Sequence, residues 1–77
     1  MIKFKDKNDE LMQGSSLKEV VEDLRNGSRM ASHEDLPTYM KGFAEREKIY
    51  SGSEVRYDTI ENFVADLVTC GFWKQVN

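Results

Sequence analysis

Between Arg56 and Trp73 the chain carries a helix start, an apolar stripe and a helix stop in unbroken succession, and no other stretch constrains the fold as tightly. Asp58 stands where a cap is needed, with Glu61 three residues on. A side chain of this type accepts a hydrogen bond from an amide that the first helical turn leaves unpaired. Ile60, Phe63, Val64, Leu67 and Val68 then recur at helical spacing, so one face of the segment is apolar. Gly71 takes the left-handed turn that closes such a helix, and Phe72 beyond it is placed to pack back on Leu67. The spacing predicts a helix over 59–70, entered from a short strand at 54–57 and left into a strand at 72–76.

The same reasoning divides the rest of the chain. Ile2 and Phe4 alternate with Lys3 and Lys5, the period of a half-buried strand. Asp6-Lys7-Asn8-Asp9 supplies turn residues, so residues 2–13 read as a β-hairpin whose lysines guard it against edge pairing. Gly14-Ser15 breaks the chain. Ser16 and Glu19 then form a reciprocal capping pair ahead of the stripe Leu17, Val20, Val21 and Leu24. Asn26-Gly27 ends that helix, predicted over 16–26, with Gly27 expected in a left-handed turn. A polar connector over 28–34 leads to Leu36-Pro37. Pro37 suits a first helical turn, where its missing amide costs little. Leu36, Tyr39, Met40, Phe43 and Ala44 are the stripe of a helix over 36–50, with Tyr50 prolonging it past Glu47. Gly42 within it costs about 1 kcal/mol against alanine, which implies that something packs closely there. Lys41 with Glu45, and Arg46 with Tyr50, are spaced to pair on the wet side.

These elements imply one small α+β domain spanning residues 1–77. The N-terminal β-hairpin and the strands at 54–57 and 72–76 would share one sheet, with the helices at 16–26, 36–50 and 59–70 packed on one side. If the two short strands are parallel neighbours, the third helix is their right-handed crossover. A three-helix bundle with irregular ends is the alternative. A chain of 77 residues, 39% of them apolar, has material for a single core and a thin stability margin, so association through exposed apolar surface would help it.

Composition also bounds the function. One cysteine, Cys70, permits no intrachain disulfide, which reads as a reduced, cytoplasmic protein. The segment Met1–Lys7 has no apolar core of a signal peptide, and no apolar run is long enough to span a bilayer. The net charge of −3, with acidic and basic residues interspersed, argues against nucleic acid as a partner, because such affinity rests on neutralising phosphates. As a DNA-reading helix, 59–70 would present Glu61, Asn62, Ala65, Asp66 and Thr69, which are the wrong residues for a major groove.

Candidate chemistry is sparse. His33-Glu34-Asp35 gathers potential metal ligands, but adjacent side chains rarely converge and no second His or Cys completes a site. Acidic residues at a helix entrance account for the cluster. Cys70, with His33 as base, would sit at a helix C-terminus, where the dipole opposes a thiolate. Gly14-Ser15-Ser16 precedes a helix but lacks the phosphate-loop pattern, and serine capping explains it. No catalytic, metal or cofactor residues are therefore assigned, and enzyme activity is not expected.

The remaining lead is a set of aromatic and arginine residues of the types enriched at protein interfaces: Tyr39, Arg46, Tyr50, Arg56, Tyr57 and Trp73, with Arg29. The competing account, which carries more weight, builds the core from Phe4, Phe43, Phe63 and part of Trp73 and leaves the tyrosines to line its rim, since a small domain needs aromatics inside. The functional expectation is a small non-catalytic protein-interaction or regulatory module. It would bind a protein partner or a second copy of itself, as a homodimer, through the aromatic rim or a sheet edge. The alternative is a nucleic-acid-binding regulator using Lys3, Lys5, Lys7, Arg46 and Arg56 on one face.

Overall fold

A computed structural model describes residues 1–27 and 33–76. Its elements run β1 (Ile2–Asp6), β2 (Leu11–Gly14), α1 (Leu17–Asn26), α2 (Leu36–Ser51), α3 (Ile60–Thr69) and β3 (Trp73–Gln75). This is the expected α+β domain. The connector residues 28–32, Arg29 among them, lie outside the described residues.

The hairpin turns as its residues dictate. Asp9 donates its amide to the Asp6 carbonyl and takes the left-handed conformation at φ 63°, which aspartate tolerates better than most residues. The Asp6 carboxylate accepts from the amides of Asn8 and Glu10 and locks the turn. β1 is the central strand, pairing antiparallel with β2 (Phe4 opposite Met12) and with β3 (Asp6 opposite Trp73). One face of the sheet carries Phe4, Met12 and Trp73 into the core; Phe4 and Trp73 lie 5.4 Å apart, centroid to centroid.

The helix ends are specified locally, with instructive differences. The Ser16 hydroxyl accepts from the Glu19 amide, but the Glu19 carboxylate reaches back to the amide and hydroxyl of Ser15 instead of Ser16. Those bonds hold the Glu19 carboxyl below its ordinary range, the Ser15 hydroxyl contributing most. Gly27 closes α1 at φ −78°, a right-handed conformation, not the expected left-handed one. At α3 the cap is Thr59, whose hydroxyl accepts from the Asn62 amide; the Asp58 carboxylate instead accepts from the Thr59 amide and the Asn62 side chain. The extended backbone falls at Thr59, so its side chain is the one that reaches back over the first turn. The other end of α3 follows expectation: Gly71 is left-handed at φ 83°, its amide donates to Val68 and that of Phe72 donates to Leu67.

The core is one cluster in which Val20, Val21, Phe63 and Leu67 are fully buried. Phe43 of α2 meets Phe63 of α3 edge to face at 5.6 Å.

The segment 54–57 is not a strand. It runs extended, buries Val55, and gives the Arg56 amide to the Asp66 carboxylate of α3 at 2.8 Å. Both sides of β1 are already taken by β2 and β3, so this segment has no place beside it. The outer edge of β2 is guarded as well, because the Gln13 amide donates to Asp23 of α1 at 3.1 Å. Because 54–57 pairs with no strand, the conditional parallel pairing of 54–57 with 72–76 does not arise, and α3 is not a crossover between them.

Candidate functional site

Two of the six sequence-derived surface residues are core residues. Tyr39 and Trp73 are each 4% exposed. Trp73 is held by its place on the inner face of β3, and Tyr39 by the α2 stripe, where it lies 6.3 Å from Phe43. Burial pushes the Tyr39 phenol above its ordinary range, partly countered by Arg46. A contiguous exposed patch containing both tryptophan and the tyrosines is therefore absent. Small-domain economy decides this: aromatic area is the densest way to fill one core.

The other four residues are on the surface, in two places. Tyr50 is 81% exposed at the end of α2, one position after Ile49 at 79%. Tyr50 continues the core-facing stripe, but the core stops short of it: the last buried residue of α2 is Ala44. The helix simply outruns its support. Arg46 shares a helical face with Tyr50 but lies back over Gly42, where a Cβ would sit 3.4 Å from its guanidinium. A single side-chain tip at that distance is an ordinary contact, so the close packing expected at Gly42 is not found.

Tyr57 and Arg56 belong to the extended segment. Tyr57 borders an open hollow of about 210 Å³ with Ala44, Glu45, Lys48 and Val55, and Lys48 spans it to Glu54 at 3.4 Å. Both partners of that pair are exposed, so it adds little to stability. Arg56 is committed to Asp66 through its amide, Nε and a terminal nitrogen, at 2.8, 2.9 and 3.0 Å. The fork-on-carboxylate geometry pins the segment to α3.

This latch has a pH signature. The Arg56 side chain, then its amide, hold the Asp66 carboxyl below the ordinary value of 3.8. A depressed folded-state pKa contributes stability that is complete above the unfolded value and lost as pH falls through the folded one. The melting temperature of Asp66→Asn should therefore sit a few degrees below wild type at neutral pH, and the two curves should converge under acid conditions. A constant difference across the acid range would mean the carboxylate is not the stabilising species.

A second hollow, of about 220 Å³, has Leu24, Phe43, Phe72 and Trp73 in its wall, with Lys7 lying 4.4 Å over the Phe72 ring. Asp6, Asn8 and Glu47 complete its lining. Cys70 is half-buried at the C-terminus of α3 and His33 is exposed ahead of α2. Among the described residues no three His, Cys, Asp or Glu side chains gather as a metal site, and no helix is long and apolar enough to cross a membrane.

The basic residues considered for nucleic acid do not share a face. Lys3 and Lys5 point away from the helices on the outer side of the sheet, Lys7 covers Phe72, Arg56 grips Asp66 and Arg46 covers Gly42. Two surface features escaped the sequence reading. Ile49 is a large apolar residue off the α2 stripe, and that misfit was its signal. Lys74 lies opposite Lys5, a juxtaposition that depends on strand pairing alone.

No protein-family model, curated protein or solved structure matches this chain.

Proposed function

We propose that this is a non-catalytic, cytoplasmic protein-interaction module with a regulatory role, and that it engages its partner with the overhanging end of α2. The observation that carries this reading is the adjacent pair Ile49 and Tyr50, about four-fifths exposed on a helix that extends past its own core. Large apolar side chains in water gain most by being covered, and a tyrosine brings rigid contact area at small entropic cost. Arg46, one helical turn before Tyr50 and likewise exposed, adds a residue type that anchors interfaces.

The test places a photo-crosslinking phenylalanine analogue at position 50 and, separately, at Lys18 on the exposed side of α1, in cells that make the protein. A discrete adduct at position 50, absent at 18 and weakened by Ile49→Asp, is the expected result. An adduct of twice the chain's mass would identify the partner as a second copy. Equal labelling at both positions, or none, overturns the reading.

A further inference from the structure

We propose that the open face of the sheet docks an acidic segment of a partner protein, a surface separate from the end of α2. Helices cover only the side of the sheet that carries Phe4, Met12 and Trp73. The other side presents Lys3, Lys5, Leu11, Gln13, Lys74 and Val76. Lys5 and Lys74 are direct cross-strand neighbours. Like charges so placed repel, since opposed side chains on adjacent strands start about 5 Å apart. Lys3 stands two residues along the same strand, about 7 Å away. Among the described residues none of these three lysines has a carboxylate within 4.0 Å, the ion pairs being those of Lys48 and Arg56. A chain of net charge −3 thus concentrates unneutralised positive charge on one flat patch. Local rules are broken in this way where a ligand supplies the compensation.

Charge and shape select the occupant. Three strands at about 4.8 Å spacing give a patch about 10 Å wide, matched to a short extended segment. Leu11, 46% exposed, lies beside Lys5 on the side away from Lys74 and offers apolar contact at the margin of the charged strip. The patch has no aromatic side chain on which a base could stack, and stacking is the usual basis of single-strand nucleic-acid binding. A longer polyanion would also run past the patch, about one Debye length, into the negative field of the remaining surface. Carboxylates alternating with apolar residues fit both the spacing and the chemistry.

The experiment uses a fluorescent eight-residue peptide of alternating Glu and Leu and, in parallel, a labelled oligothymidylate, each titrated with the full chain by anisotropy. Lys5→Gln/Lys74→Gln should weaken peptide binding about tenfold, whereas Lys18→Gln/Lys41→Gln, which removes equal charge elsewhere, should change it less than about twofold. Wild-type binding should fall as salt rises, and Ile49→Asp should leave it intact, which separates this surface from the α2 end. The sheet variant should melt no lower than wild type, since it relieves a repulsion. Equal losses in the two double variants, no peptide binding by wild type, tighter binding of the oligothymidylate, or a lower melting temperature for the sheet variant would each overturn the proposal.

Discussion

Truncating Phe63 to alanine should destabilise the domain by about 3–5 kcal/mol, the range for a fully buried aromatic whose cavity cannot close. Phe63 is 0% exposed and meets Phe43 edge to face, so it is where α2 and α3 share a contact. A chain of this length has roughly 4–12 kcal/mol in total, so the loss takes a large share of the margin. Urea titration followed by circular dichroism should place the variant's midpoint well below wild type, or find it unfolded at 37 °C. Phe63→Leu keeps most of the buried area and should fall between. A loss under about 1 kcal/mol would mean that the site collapses around the deletion and that α2 is not anchored through it.

The second large effect is at Gly14. A Cβ there would lie 2.5 Å from the Glu19 Cβ and 2.8 Å from the Val20 amide nitrogen. Those are a side-chain root and main chain, so no flexible tip can swing aside. Gly14→Ala must push β2 away from the first turn of α1, which also strains the Gln13–Asp23 and Ser15–Glu19 hydrogen bonds. A cost of about 2–3 kcal/mol follows from overpacking of this kind. Gly27→Ala is the control: its backbone is right-handed, and the nearest atom is 3.5 Å away. That variant should be neutral or more stable by up to about 1 kcal/mol, because alanine restricts the unfolded chain. Similar losses at both glycines would show that backbone propensity, and not the close approach, governs position 14.

Gly14 also marks where sequence reading stops. As a residue type it signals a break, and the chain does turn directly after it. Its real role is to let a strand touch a helix, and that depends on atoms five and six residues away in a fold that must already exist. The residues 54–57 teach the same lesson. Val55 and Tyr57 have strand-forming side chains, but a strand needs a partner edge, and both sides of β1 are occupied. Asp66 then supplies the acceptor that a neighbouring strand would have supplied. At the candidate site, burial of Tyr39 was visible as part of the α2 stripe. The choice between core and rim for Trp73 turned on β3 lying antiparallel against Asp6.

What the chain determines alone is local. Three apolar stripes, their caps and the Gly71 stop place the helices to within a residue or two, because helical hydrogen bonds and periodicity span only four residues. The Asp6–Asp9 turn is specified in the same way. Tertiary structure decided the rest. It placed β1 at the centre, took tryptophan inside, left Ile49 and Tyr50 beyond the core, and set Lys5 against Lys74. Each of these depends on which distant segments meet, and pairwise spacing along a single chain does not encode that.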